Sequence, residues 1–279
     1  MIAFVFSVQK HTGVFGSEHD AGIEREECVY YNDSIEGKLE AQHMNYEIIG
    51  DTMPVVICHM NAGESIVCTA GAMAWMDPAM EMNTESESAG KMFGRMFSGD
   101  NMMRTHYTAR EGGKITLAAN FPGKILPVEL HGETIICQKG AFLASDETVD
   151  MDIFMQKKIA GGLFSGEGFV LQKFSGYGTV LIAVQGAAAA YDLKEGQSMI
   201  VSGGHFVMMD ETCDLDVEMI SGAKNVLFGS QGFAVINIKG PGRIVVQTMP
   251  SEKFADVISS NMPSSISIPS IPSSSSSGS

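Results

Sequence analysis

The sequence predicts an all-β protein: a pseudo-threefold, β-sandwich-like body of three related units, accompanied by two short helices. Two observations lead to this prediction. A block of strand-like sequence occurs in three copies, and glycine turns followed by β-branched residues lie between the copies. A fixed internal period indicates a repeat fold, in which each unit buries its apolar face against its neighbours.

The repeated block is clearest in residues 132–153 and 196–217, which align without gaps. Both segments contain Asp-Glu-Thr followed by Asp-x-Asp. A fainter copy begins at Gly63 and continues through Met82 in the same frame. The block therefore occurs once in each predicted unit.

Glycine turns that open a strand form the second recurring element, at residues 121–123, 176–178 and 240–242. Glycine adopts positive φ without steric cost, and the β-branched residues that follow suit a pleated, half-buried strand. Each unit therefore has the pattern strand, turn and strand. We predict that residues 44–249 form one β domain built from three such units.

The long insert of the first unit, at 91–97, has apolar residues at helical spacing, which predicts one short helix. Methionine packs adaptably both in cores and on binding surfaces, so core or subunit packing is the alternative role for this segment. Four side chains of the helix form a predicted partner-binding surface: Met92, Phe93, Met96 and Phe97.

The C-terminal part of the chain lies outside the three units. Residues 250–262 carry Phe254, Val257 and Ile258 at helical spacing, so we expect a short amphipathic helix that docks after the last strand. Residues 263–279 are rich in Ser and Pro and contain too little apolar surface to fold. We expect that tail to be disordered.

The leader, residues 1–43, matches no part of the repeat. The string Leu-Glu-Ala-Gln-His-Met at 39–44 can be encoded with a ribosome-binding sequence just ahead of a start codon. We therefore expect the native protein to begin at Met44 or Asn45. A disordered N-terminal arm is the alternative.

The charge balance excludes nucleic acid as an expected partner. The chain has 18 basic and 33 acidic residues, which gives a formal net charge of -15. Nucleic-acid binders neutralise phosphates with clustered Lys and Arg, and this sequence has no such run. It also has no apolar stretch of the about 18 residues that a membrane helix needs, and no basic region typical of a signal peptide.

The five cysteines favour a reducing, cytoplasmic location, because they are odd in number, scattered and never spaced as Cys-x-x-Cys. Cys68 and Cys137 share one position of the repeat, where the third copy has Val201. Such an exchange is typical of a small apolar core residue. We predict no disulfide framework and no metal site.

Common catalytic signatures are absent from the sequence, including G-x-S-x-G, H-E-x-x-H and the phosphate-binding P-loop. The most regular polar positions are Asp77, Asp146 and Asp210, one in each unit. We interpret them as turn residues that bond to nearby backbone. A shared cation site on the pseudo-threefold axis is the alternative.

One loop has the composition of a ligand site. Residues 161–168 are rich in glycine, and successive backbone N–H groups in such a run can hold an anion. The loop contains no Lys or Arg, which favours the alternative of a simple bend before the next strand. The candidate ligand-binding residues are Gly162, Phe164, Gly166, Glu167, Gly168 and His205. We predict no cofactor and no catalytic residue.

Several motifs together carry a family resemblance, among them Tyr-Glu-Ile-Ile at 46–49, Leu-Pro-Val-Glu-Leu at 126–130 and the 161–168 loop. Over about residues 44–249 the chain resembles the mitochondrial-biogenesis family Aim-twenty-four. The resemblance implies a body of three units with the tryptophan RNA-binding attenuator fold, frequent oligomerisation and no established catalytic residues. It also implies fungal relatives that are mitochondrial and linked to inner-membrane organisation.

We therefore predict a non-enzymatic, homo-oligomeric scaffold or binding protein that acts through protein or membrane-surface contacts. The alternative is a small-molecule or anion-binding protein, conceivably an enzyme, that uses the 161–168 loop. A closed polar pocket containing Glu167 and His205 would favour the alternative. An exposed apolar patch at 92–97 would favour the scaffold.

Overall fold

The computed structural model describes residues 29–30, 44–83, 104–154, 171–219 and 234–261. Over these residues the chain consists mainly of β-strands with one α-helix, so the all-β prediction is confirmed. Several predicted features lie outside the described residues: the helix and partner surface at 92–97, the 161–168 loop, the Ser/Pro tail and nearly all of the leader.

The described residues form eighteen strands, which range from two to sixteen residues in length. Those up to residue 118 are β1 (Val29–Tyr30), β2 (Asn45–Ile49), β3 (Val55–Met60), β4 (Ser65–Thr69), β5 (Met73–Met76), β6 (Met80–Asn83), β7 (Arg104–Ala109) and β8 (Gly113–Ala118). The central strands are β9 (Gly123–Gln138), β10 (Phe142–Asp146), β11 (Val149–Phe154) and β12 (Leu171–Gln185). The last are β13 (Ala188–Leu193), β14 (Ser198–Ser202), β15 (Phe206–Asp210), β16 (Asp214–Met219), β17 (Ala234–Lys239) and β18 (Gly242–Gln247), followed by the helix α1 (Ser251–Asn261).

Alternation of apolar and polar residues accounts for the strands that have one face on a core. β3 and β7 alternate half-buried and buried side chains along their whole lengths. This period of two is the pattern of a strand that covers a core with one face. β4 and β10 are instead buried at three and four consecutive positions, so side chains on both faces of these strands are covered.

The described strands form three sheets in which every pair is antiparallel. The largest has the order β1-β13-β18-β15-β9-β12-β10-β4-β7-β6, and β11 also pairs with β12. The second sheet is β2-β3-β8-β5, and the third is β14-β17-β16. The apolar side chains between the sheets form three buried clusters, and β9 contributes to each through Ile125, Leu130 and Ile136.

The long strands β9 and β12 pair along almost their full lengths, from Gly123 opposite Gln185 to Gln138 opposite Leu171. The glycine turn predicted at 176–178 is therefore wrong, because this segment lies inside β12. The ladder contains a register shift there, and a bulge of this kind takes up an extra residue without ending the strand. The continuous partner strand keeps the chain extended.

The other two predicted glycine turns do open strands, since Gly123 begins β9 and Gly242 begins β18. Their environments differ. Gly242 lies opposite Leu193 at the end of β13. Gly123 lies where β9 meets the end of β12, and a Cβ at this position would overlap the Val184 carbonyl oxygen. Glycine is required at Gly123 by this close approach of two backbones.

One scheme of strand pairing occurs three times. β8 lies between β3 and β5, β18 lies between β13 and β15, and the second half of β12 lies between the first half of β9 and β10. The third strand of each set has a register shift at one aligned position. The shifts lie between Met73 and Trp75, between Phe142 and Ala144, and between Phe206 and Met208.

The two ends of the described chain differ from expectation. β1 lies within the predicted leader and pairs with Ala189 and Ala190 of β13. The helix α1 begins and ends close to the predicted bounds, but no residue in it is buried. The helix contacts the body through Phe254, whose ring is edge-on to that of Phe121 at 5.3 Å between centroids, and through the Ser251 N–H, which donates to the Gln185 side chain. Most of its apolar face is exposed.

Candidate functional site

His205 is the one candidate ligand-binding residue that falls in the described part of the chain. It ends a single 3-10 turn, Gly203–His205, and is half-buried. Its Nδ1 lies 2.7 Å from the carbonyl oxygen of Gln247. Because a carbonyl oxygen only accepts, Nδ1 carries the proton, and Nε2 is left as an acceptor in the neutral ring.

The buried Gln247 connects His205 to the surrounding strands. Its Nε2 donates to the Gly204 carbonyl oxygen at 2.8 Å, and its Oε1 accepts from the Gln185 backbone N–H at 2.9 Å. The Gln185 side chain then accepts from the Ser251 N–H at 2.6 Å, at the start of α1. His205 therefore belongs to a network that joins a turn, two strands and the helix.

The three repeated aspartates occupy one kind of structural position. Each uses Oδ2 to accept a backbone N–H from the strand beside it: Asp77 from Lys114 at 2.9 Å, Asp146 from Thr179 at 2.7 Å and Asp210 from Arg243 at 2.8 Å. The prediction of a backbone-bonding role is confirmed, but the partner is a neighbouring strand rather than the aspartate's own turn. Among the described residues no group of His, Cys, Asp and Glu could hold a metal ion.

A glycine precedes each N–H that these aspartates bind. Gly178 has φ +141, and a Cβ built there would lie 3.0 Å from the Asp146 side chain. Gly242 has φ +147, and a Cβ built there would lie 2.6 Å from the Cys213 and Thr212 side chains and 3.4 Å from Asp210. The aspartate and the glycine of each pair both recur in the sequence. Their spacing along the chain does not show that the aspartate contacts the segment that the glycine begins.

Burial raises the pKa of Asp210 above its ordinary value, and the hydrogen bond from the Arg243 N–H opposes the shift. This carboxylate therefore lies in an environment that disfavours its charge. Its hydrogen bond fixes the strand end, and no substrate-facing role follows from it.

The four cysteines that the structure describes are buried and form no disulfide: Cys58, Cys68, Cys137 and Cys213. Burial raises the pKa of Cys68 to about 12 and that of Cys213 to about 11, and it raises the pKa of Cys58 and Cys137 as well. Thiols react as thiolates, so these side chains are not poised as nucleophiles near neutral pH. The predicted core role of Cys68 and Cys137 is confirmed, and Val201 at the aligned position is also buried.

Two strand edges stand out from the recurring pairing scheme. β10 also pairs with β4, and β15 also pairs with β9. β5 is the equivalent of β10 and β15 in the first set of strands. Among the described strands, however, β5 pairs only with β8, and β14 pairs only with β17. We call these two edges the open seam.

The open seam exposes large apolar side chains. Trp75 in β5 is 55% exposed and Ile200 in β14 is 73% exposed. The residues aligned with Ile200 are Val67 and Ile136, which are 9% and 1% exposed. Sequence reasoning did not single out Trp75 or Ile200, because the repeat pattern assigns them to the same interior positions as their aligned residues.

The described helix is too short and too polar to cross a membrane.

Comparison with known proteins identifies the fold and the family. Residues 46–249 match the family described as Mitochondrial biogenesis AIM24. An uncharacterized protein of Streptococcus pyogenes serotype M6 is 28% identical over 242 residues, which cover 82% of this chain and 96% of that protein. A crystal structure of a Streptococcus pyogenes protein superposes with a TM-score of 0.68 at 25% identity and covers 79% of this chain and 100% of that one. Because the family match spans most of the sequence, the chain belongs to the mitochondrial biogenesis AIM24 family.

Proposed function

We propose that this protein is a non-enzymatic, oligomeric scaffold or binding protein of the reducing cytoplasm. The observation that carries the proposal is the open seam, where Trp75 and Ile200 present apolar surface on strand edges that have no partner among the described strands. Exposed strand edges and large exposed apolar side chains are features of interaction surfaces. The protein acts through this surface rather than through a reactive group.

The chemistry of the described side chains supports a binding role. The buried thiols have raised pKa values, and His205 uses Nδ1 in a hydrogen bond to the backbone. The repeated aspartates use Oδ2 to bind strand backbone. Each of these polar groups therefore has a structural role that accounts for its presence.

A protein partner is favoured over a membrane surface. The chain carries a formal net charge of -15, and the cytoplasmic face of most membranes is negatively charged. Repulsion between the two opposes adsorption to anionic lipid. The charged residues of α1 are Glu252, Asp256 and the single cation Lys253, so the helix has no basic face for lipid headgroups beside its exposed apolar residues.

Sedimentation equilibrium of the full chain tests the proposal. The monomer mass is 29.9 kDa, and we expect species at integral multiples of this mass. In a parallel flotation assay with phosphatidylcholine–phosphatidylserine vesicles, we expect the protein to stay in the aqueous fraction. A protein that remains monomeric at every concentration and floats with the vesicles would contradict a protein-contact scaffold.

A further inference from the structure

We propose that the Asp146 carboxylate binds a free α-ammonium group at Met44, the residue with which the native protein begins. Sequence analysis predicts a start at Met44 or Asn45, and the structure supplies a partner for the positive charge that such a start creates. The site is independent of the oligomer proposed above, because it involves no contact between copies.

Asp146 differs from the two aspartates that share its position in the repeat. Its Oδ2 accepts the Thr179 N–H at 2.7 Å and also lies 3.2 Å from the backbone nitrogen of Met44, which is 102 residues away along the chain. Asp77 and Asp210 each use Oδ2 for one strand N–H, and no second backbone donor to either is present among the described residues. The contact with Met44 is therefore an addition to the repeated role.

The side chain of Met44 is anchored as well as its backbone nitrogen. It is half-buried and packs against the buried cluster that contains Tyr46 and Cys58, and the Cys58 Sγ lies 3.6 Å from its Sδ. Chain termini are poorly ordered unless such contacts hold them. Aminopeptidases remove an initiator methionine when the next residue is small, and Asn45 is not small. A start at Met44 therefore retains this methionine and its amine.

The surroundings of Met44 favour a positive charge. Burial, followed by the charge of Glu129, raises the pKa of Tyr46 to about 12. Burial, followed by the charge of Asp146, also raises the pKa of Cys58. Every cause of these two shifts acts in the same direction, so the two side chains lie in a negative field. An ammonium group is stabilised by a nearby carboxylate, whereas a peptide N–H carries no net charge.

An ammonium group also brings more donors than a peptide N–H. It has three, and a peptide nitrogen has one. Thr179 is fully buried, and its Oγ1 has no hydrogen-bond partner among the described residues. This hydroxyl belongs to the residue whose N–H binds the same Asp146 oxygen. An acceptor that the described chain leaves unused is therefore next to the carboxylate.

The described body does not depend on the leader. The leader contributes only β1, two residues long, which pairs with Ala189 and Ala190 at the end of the large sheet. Without β1, β13 keeps its ladder with β18, which extends from Ala188 to Leu193. A start at Met44 therefore removes a short addition to one sheet edge.

The N-terminus of the native protein is the first test. The protein is purified from its own cells through a C-terminal tag, its free amines are dimethylated, and the chain is cleaved after glutamate. A chain that begins at Met44 yields residues 44–47 with a labelled α-amine, whereas a chain that keeps the leader yields residues 41–47 with an unlabelled one. We expect the first peptide. A predominance of the second, or a formylated or acetylated Met44, would overturn the proposal.

Met44→Ala in the gene identifies the source of the amine. If translation starts at this codon, the short chain disappears. If a peptidase hydrolyses the bond after His43, the short chain persists and begins at position 44. Either result supports a free amine at this position, and the two results distinguish initiation from cleavage.

The reactivity of the amine tests the role of Asp146. Native wild type and variants are treated with N-hydroxysuccinimidyl acetate, and acetylation at Met44 is compared with that at the exposed Lys253 in the same sample. We expect the amine of Asp146→Asn to react about tenfold faster or more, equivalent to about 1.4 kcal/mol for the lost contact. Asp77→Asn is the matched control, because Asp77 has the same strand-bonding role but binds the Lys114 N–H. It should leave the rate unchanged.

The outcomes separate the contact from the start site and from general loosening of the fold. Equal rates in wild type and Asp146→Asn would overturn the contact, even if the chain begins at Met44. Equal acceleration by Asp77→Asn would overturn it too, because any weakened strand end would then release the amine. Wild type unfolded in urea should react as fast as Asp146→Asn, and an amine that urea does not accelerate would show that the fold gives it no protection.

Discussion

A carboxylate beside a glycine recurs at the ends of three strands. The side chain of Asp146 binds the Thr179 N–H, and it lies where a Cβ on Gly178 would point. The glycine is therefore needed twice, for its positive φ and for the space that the carboxylate occupies. Single residues of this kind hold a strand end against the next strand.

Replacing Gly178 by alanine should destabilise the protein. The φ of +141 is unfavourable for a residue with a Cβ, and the new methyl group would be 3.0 Å from Asp146. We expect the free energy of unfolding, measured by urea denaturation, to fall by about 1–3 kcal/mol. Gly140→Ala is the matched control, because a Cβ at Gly140 meets nothing within 4 Å and should leave stability unchanged or slightly higher. Equal effects at both positions would contradict this explanation.

The stability of the protein should depend on pH through Asp210. Its folded-state pKa is raised by burial, so the stability that this group contributes is present below the unfolded pKa and is lost as pH rises through the folded pKa. Asp210→Asn removes this titration and keeps an oxygen acceptor for the Arg243 N–H.

We therefore expect the free energy of unfolding of Asp210→Asn minus that of wild type to be larger at about pH 7 than at about pH 4, because only the wild type loses stability as the pH rises. Urea denaturation at the two pH values measures the difference. A difference that is constant between them would show that burial of this carboxylate has no energetic effect.

At the scale of whole elements, α1 is attached to the rest of the described chain by few contacts, and none of its residues is buried. An aromatic contact joins Phe254 to Phe121, and the first N–H of the helix is held by the Gln185 side chain. Val257 and Ile258 remain exposed. Elements with few buried contacts open locally at low free energy, so α1 should open independently of the strands.

Phe254→Ala should release α1 without unfolding the strands. The lost aromatic pair is worth about 0.5–1.5 kcal/mol. In hydrogen exchange measured by mass spectrometry, we expect faster exchange in residues 251–261 and unchanged protection in β12. Val257→Ala should leave exchange unchanged in both regions. Loss of protection in β12 of Phe254→Ala would show that the helix stabilises the whole body.

The elements differ in how far the sequence predicts them. Alternating burial in β3 and the apolar spacing in α1 are local patterns, so strand and helix follow from them. The continuity of β12 through 176–178 is not local, because it depends on the partner strand β9. The exposure of the apolar face of α1 is likewise not a local property, because it depends on whether the strands provide a surface on which that face can pack.

At the scale of the molecule, β9 joins the three buried clusters through Ile125, Leu130 and Ile136. A strand shared by all clusters couples their unfolding. Leu130→Ala should lower the free energy of unfolding by about 2–5 kcal/mol, because the site is fully buried. Trp75 fluorescence and far-ultraviolet circular dichroism should still report one coincident transition.

Ile49→Ala is the control for this change, since Ile49 is 46% exposed, and it should alter stability by less than about 0.5 kcal/mol. Two separate transitions in Leu130→Ala would show that the clusters unfold independently, and the predicted single domain over 44–249 would then be wrong.

The repeat predicts which segments of the molecule resemble each other, and the aspartates at 77, 146 and 210 do have one structural role. It does not predict the open seam. Val67, Ile136 and Ile200 are equivalent in sequence, but among the described strands only the first two are paired on both sides, while Ile200 is paired with β17 alone. That difference depends on how the sheets close in space, which no local pattern records.

The antiparallel ladder of β9 and β12 makes the response of the molecule to mechanical force depend on direction. Gly123 and Gln185 lie opposite each other at one end of the ladder. A pull on these two residues is an unzipping geometry, which loads the hydrogen bonds of the ladder one after another. A pull on Gly123 and Leu171, at opposite ends, loads all of the bonds together in shear. In optical-tweezer experiments with handles at these positions, the first geometry should yield at a much lower force, although the same bonds break in both.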